Sequence, residues 1–230
     1  MNIFGRRSIG WWGEWQTRIV KRSTAIGRLG EVAESLDRLD WLEPKIVAGY
    51  VHGELLTDAT ALDRVEIVLV VDAPSEVVPW MARPPHLEAI AWLLRFPKLP
   101  LSWCWRPADW PIWNHRIVNP VRFWTIEDHV DMAVFDALTA GSTVQLAGEG
   151  PVDARELVAQ LETERRVGRA HLDRVLAGFY EREWRRDHRG DPNGNGTPQD
   201  HLWWAAAALL ELDDAISVLA TGIDPLSDRQ

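Results

Sequence analysis

The chain is short of cysteine, lysine and tyrosine: one cysteine, Cys104, three lysines and two tyrosines stand among 230 residues. A single cysteine excludes an internal disulfide and any zinc site built from several thiolates, and a cytoplasmic setting follows most directly. Long apolar runs are missing as well. No stretch of eighteen apolar residues occurs, so no membrane-spanning helix is expected. The amino terminus, MNIFGRRSIGWWGEW, lacks the apolar core of an export signal, so the protein reads as soluble and unexported. Positive charge is the scarcer sign, 25 basic residues against 34 acidic ones. The net charge of −9 opposes unspecific attraction to duplex DNA or to an anionic membrane.

Hydrophobic residues make up 46% of the chain, enough for a substantial core, and 14 of them are tryptophan. Apolar positions recur at helical spacing from about Trp11 to Trp41, which predicts one helix there, or two with a joint near Ser23 to Gly27. Strands are expected at Ile46 to His52 and at Val65 to Val71. The second is so continuously apolar that it should be covered on both faces. Gly53 marks a tight turn between them, followed by a short helix over Glu54 to Leu62. Further along, a helix is predicted over His86 to Phe96, and Leu101 to Arg106 reads as a strand. Residues 107–115 read as a packed loop, and Arg116 to Trp124 as an edge strand bulged at Asn119-Pro120. A helix from Thr125 to Thr139 and a short strand from Thr143 to Leu146 follow. The Gly148 to Pro151 segment then marks a boundary. Beyond it lie a long helix to about Asp187, a polar loop, and a last helix from Asp200 to Thr221. The expected fold is therefore α/β: a small mixed sheet of four or five strands flanked by helices over residues 1–147, and an antiparallel helical hairpin over 148–230 packed on or next to it.

The succession of helix, strand ending at Gly53, and buried strand resembles the opening of a nucleotidyltransferase-fold domain, over roughly residues 24–125. In that family a small residue after the glycine touches a triphosphate, two acids spaced by one residue open the next strand, and a third acid sits on a later strand. Such acids hold two divalent ions. Gly53 matches, whereas Glu54 adds negative charge where phosphate would sit. Asp63 and Glu66 are three residues apart, and no acid occupies Ser102 to Arg106, Asp109 lying in the loop beyond. The resemblance therefore implies a nucleotidyltransferase-like protein acting by ligand or protein binding. The alternative is an active transferase using magnesium with Asp63, Glu66 and Asp109. The carboxy-terminal helices resemble HEPN domains, whose ribonuclease members pair an arginine with a histidine a few residues on. Arg182 with His188 fits that spacing, as does Arg165 or Arg166 with His171. This resemblance implies a ribonuclease or a toxin and antitoxin component.

Two other regions carry candidate chemistry. Trp103 to Trp124 brings six indole and phenyl rings close to Arg106, Asn114, His115, Arg116 and Arg122, a composition suited to a ligand groove. Gly53, Glu54, Trp105, Arg106, His115 and Arg116 are accordingly the expected ligand-binding residues. Asp187, His188, Asp191, Asp200 and His201 gather around one loop, but their spacing matches no metal site, and none is predicted. A protein partner or a second copy, a nucleotide or an RNA remain the expected partners.

Overall fold

The computed structural model describes residues 19–39, 41–190 and 196–221. Trp11, Trp12, Trp15 and Asp191 lie outside the described residues.

The order of elements is β1 (Val20–Lys21), α1 (Arg22–Asp37), β2 (Ile46–His52), β3 (Ala61–Leu62), β4 (Val65–Val71), α2 (Pro85–Leu93), β5 (Leu101–Pro107), β6 (Val121–Thr125), β7 (His129–Val130), α3 (Met132–Ala140), α4 (Ala154–Phe179), α5 (Arg182–Asp187) and α6 (Pro198–Ala220). The main sheet runs β5-β4-β2-β6-β7. β4 and β5 are parallel and the other pairings antiparallel, so the fold is α+β with a mixed sheet. β1 and β3 form a separate two-stranded ribbon.

Alternation along the strands divides the molecule into two cores. Val65, Ile67, Leu69 and Val71 face one way, into a cluster with Leu29 and Leu36 of α1, Leu87 and Ile90 of α2, and Leu138 of α3. Val68 faces the other way, with Tyr50, Ile117, Leu157 and Leu161 of α4, and Ala208 and Leu212 of α6. A strand buried on both sides has no polar positions to alternate, hence the unbroken VEIVLVV pattern apart from Glu66. The carboxy-terminal helices thus share a core with the sheet.

Four local expectations are corrected. Among the described residues the helix of this stretch starts at Arg22, because Val20 and Lys21 are taken up by pairing with Leu62 and Ala61. That same pairing limits the helix expected over Glu54 to Leu62 to one 3-10 turn, Gly53–Leu56. The helix expected from Thr125 starts at Met132. Thr125 ends β6 opposite Ala48, and it is the Asp131 carboxylate that accepts hydrogen bonds from the backbone N–H groups of Ala133 and Val134. Thr143–Gln145 forms a 3-10 turn where a strand was expected over Thr143 to Leu146; it pairs with no described strand, and Val144 is 96% exposed. In addition, Arg116 to Pro120 is irregular, the strand beginning only at Val121. The long helix ends at Phe179, where Gly178 approaches the Trp184 ring so closely that a Cβ would sit 2.7 Å from it.

One ion pair ties sheet to helices. Arg106 of β5 donates from Nη2 to Glu164 Oε1 of α4 at 2.7 Å, with exposures of 1% and 0%. The guanidinium also donates to the carbonyls of Pro111 and Trp113, while Asn114 and Gln160 donate to the Glu164 carboxylate. Arg106 lies against the Trp80 and Trp110 rings, at 5.8 and 5.3 Å from their centroids. Removing one partner strands a buried charge. Glu164→Ala should therefore lower the unfolding free energy by about 3–5 kcal/mol, and Arg106→Met combined with Glu164→Leu should recover most of it. Urea denaturation of the three proteins checks this, and a single-variant loss below about 1 kcal/mol would contradict the role given to the pair.

Candidate functional site

At the end of the sheet where β2 stops and β4 starts, the chain encloses a cleft of about 710 Å³. Strand pairing sets its floor. His52 of β2 lies opposite Glu66 of β4, and Glu66 opposite Ser102 of β5, so three polar residues form one row across three strands. Each is an odd position in an otherwise apolar pattern, and together they face the helical side of the sheet. Cys104 is next along β5 on that face. Burial pushes its thiol up to about 12, which makes it an inert wall residue and no nucleophile.

Gly53 closes the turn after His52 with φ +73°, a region that side chains disfavour. It is needed for a second reason: a Cβ there would stand 1.8 Å from Glu66 Oε2, so the absence of a side chain makes the space in which the Glu66 carboxylate rests. Glu54 follows on the same wall and its Oε2 accepts from the backbone N–H of Asp63 at 3.2 Å.

The opposite walls are aromatic. Trp80, Trp103 and Trp105 come from the sheet side and the loop before α2, and Trp204 from α6. Arg83 lies against two of these rings, 5.1 Å from the Trp204 centroid and 5.9 Å from that of Trp103. Glu88 of α2 approaches Arg83 at 4.0 Å and accepts from the Trp105 indole at 3.2 Å. Burial raises the Glu88 carboxyl, against the pull of Arg83 and of that hydrogen bond. At the mouth Glu211 of α6 receives Arg116 through both oxygens, at 3.0 and 3.2 Å, and His115 Nε2 lies 2.8 Å from the same carboxylate. Burial alone would raise Glu211, but the hydrogen bonds from His115 and Arg116 outweigh it and bring its pKa down to about 2.

The expected ligand residues therefore divide. Gly53, Glu54, Trp105 and Arg116 line the cleft. Arg106 is buried behind it in the ion pair with Glu164, and His115 is half-buried beside Glu211 without lining it. Of the three candidate acids only Glu66 lines it. Asp63 is exposed outside, and Asp109 follows the far end of β5, on the order of 20 Å from the Glu66 row at the usual rise per strand residue. Among the described residues no group of three or more His, Cys, Asp or Glu side chains is placed to hold a metal ion. In the loop that gathers such residues, Asp200 caps α6 by accepting from the Thr197 backbone N–H.

The DUF7711 family model, described as a domain of unknown function, matches residues 20–218. The chain belongs to the DUF7711 family. No curated protein and no solved structure matches it. The matched span contains every residue that lines the cleft, from His52 to Glu211, so the cleft is built wholly from the DUF7711 domain. No described helix is long and apolar enough to cross a membrane.

In the DUF7711 hairpin the candidate ribonuclease residues take part in a different arrangement. Arg182 opens α5 and is exposed, while His188, at the other end of α5, stacks on Trp184 with ring centroids 3.9 Å apart. His188 meets His201 edge-on at 4.7 Å, and His201 meets Trp204 at 5.1 Å. Arg165 pairs with Glu162 and Asp213. Sequence reading missed Trp80, Arg83, Glu88, Trp204 and Glu211 as site residues. Only the polar Glu66 and Ser102 within apolar strands signalled the cleft floor.

Burial lowers His201 to about 4, helped by the neighbouring His188 and His171 and opposed by Asp200. His171 is likewise lowered to about 4, by burial, Arg174 and His188. A histidine lowered by folding contributes stability in full above its ordinary pKa near 6.5 and loses it as pH falls towards 4. The melting temperature should therefore fall between pH 6.5 and 5, His201 contributing a loss of about 2 kcal/mol by pH 5. Calorimetry of His201→Leu should show a shallower fall over that window, and equal slopes for the two proteins would contradict the assignment.

Proposed function

We propose that this DUF7711 protein is a nucleotidyltransferase-like binding protein, whose cleft takes a small organic molecule in place of a metal-bound triphosphate. The observation that carries the reading is the make-up of the cleft: aromatic walls around one strand carboxylate. The β4 positions that share a strand face with Glu66 are Val68 and Val70, and its neighbours across the sheet are His52 and Ser102, so the second strand acid that two-metal transfer requires has no counterpart beside it. The build itself supports the scaffold half of the reading, since a helix leads to a strand that ends at His52 just before Gly53, and the next strand of the main sheet, β4, begins at Val65, beside Glu66, at the same end of the sheet. A volume of about 710 Å³ with Trp80, Trp103, Trp105 and Trp204 among its lining residues is the size and character of a small-molecule site. With one cysteine in the chain, we place the protein in the cytoplasm.

Ligand-observed NMR with a set of aromatic and heteroaromatic fragments tests the reading. Fragments should bind in the micromolar to millimolar range, and Trp204→Ala should weaken them by roughly tenfold, as expected when an aromatic contact is removed. Hits insensitive to Trp204→Ala would contradict it. So would calorimetric binding of ATP with magnesium that Glu66→Ala abolishes, which is the result an active transferase predicts.

A further inference from the structure

Every ionisable side chain that lines the cleft is engaged within the chain. Arg116 and Glu211 hold each other through two contacts, and His115 reaches the same carboxylate. Glu54 accepts from the Asp63 backbone, Glu88 from the Trp105 indole, and the Cys104 thiol donates to the Ile67 carbonyl at 3.9 Å. His52, Glu66 and Arg83 likewise have partners within the chain. A charged ligand must compete with these contacts or be buried without a counter-charge of its own, and either course costs affinity.

The neutral polar groups of the lining behave differently. Thr57 spends its hydroxyl on the Glu54 carbonyl, at 2.8 Å. Ser102 and Thr143 do not follow it. Both line the cleft, both are more than nine-tenths buried, with exposures of 4% and 8%, and neither hydroxyl has a hydrogen-bond partner among the described residues. Buried hydroxyls are ordinarily paired, so two of them facing one cleft mark where a bound molecule places its polar atoms. Ser102 belongs to the floor, beside Glu66, and Thr143 to the 3-10 turn after α3, so the two come from separate elements. A hydroxyl donates and accepts and carries no charge; the group that matches it is a neutral one with a donor and an acceptor of its own.

We infer that the cleft binds an uncharged aromatic molecule bearing an amide or lactam, with its ring against the tryptophans and its polar atoms on the Ser102 and Thr143 hydroxyls. This rests on the ligand-binding reading above and specifies the polarity of what is bound.

Four probes share the indole ring and differ in the group attached to it: indole-3-acetamide, 3-methylindole, tryptamine and indole-3-acetate. Titrated by calorimetry at pH 7, the amide should bind about tenfold more tightly than 3-methylindole, as two modest net hydrogen bonds provide, and about tenfold or more above the cation and the anion. Ser102→Ala and, separately, Thr143→Val should each weaken the amide about threefold and leave 3-methylindole within about twofold. Neither substitution should lower the melting temperature, because neither hydroxyl serves the folded chain. Failure of the amide to exceed 3-methylindole, or a charged probe bound as tightly as the amide, overturns the inference and leaves the ligand-binding reading standing. An amide preference that survives both substitutions overturns the assignment to Ser102 and Thr143. Binding of none of the four at millimolar concentration overturns both the inference and the reading it rests on.

Discussion

The buried pair of Arg106 and Glu164 is the constraint on which the rest of the arrangement depends. Arg106 stands on the helical face of β5, where the alternation Ser102, Cys104, Arg106 would bury a charge whatever else happened. The fold supplies the compensating carboxylate from α4, 58 residues further along the chain, and surrounds the pair with carbonyls that engage Nε and Nη2 of the guanidinium and amides that engage the carboxylate. A charge pair so fully removed from water adds little net stability, since desolvation offsets attraction, but it penalises every other register of helix on sheet. It therefore fixes where α4 lies. Because α6 packs along α4, it also fixes where Trp204 and Glu211 hang over the sheet.

The cleft follows from that placement. Its floor belongs to the sheet, its lid to α6, and its rear to the Trp80 loop, which touches the Arg106 guanidinium from the other side. The electrostatics are equally a product of two distant segments. Gly53 lets Glu66 sit in the turn of its neighbouring strand, and Glu54 shares the wall, while both arginines that line the cleft are held by acids from helices.

Much of this architecture was legible in the sequence because it depends on patterns within single elements. The run Val65 to Val71 announced a strand buried on both faces, and Gly53 announced the turn. The errors came where an element's fate was decided by a neighbour. Thr125 looked like a helix start but is needed opposite Ala48, and Val20 is drawn out of the first helix by Leu62. The site was less legible for the same reason. Asp109 looked near enough to Glu66 to join it, but β5 runs parallel to β4, so whatever follows β5 emerges at the opposite end of the sheet. Arg106 read as a ligand contact because its partner Glu164 was invisible from its own strand. Trp80, Trp204 and Glu211 reach the cleft only through tertiary packing, and no local spacing marks them.

The central claim is that sheet and carboxy-terminal helices together make one ligand cleft, positioned by a buried ion pair. Its most direct measurement is the indole region of a nitrogen-15 tryptophan spectrum during titration with an aromatic fragment that binds the cleft, in the native protein and in Glu164→Ala. The account predicts that the indole resonances of Trp80, Trp103 and Trp204 shift together in the native protein, and that Trp204 drops out of that response when the pair is broken. Shifts confined to tryptophans remote from the cleft, such as Trp41 or Trp92, or an unchanged response in Glu164→Ala, would contradict it.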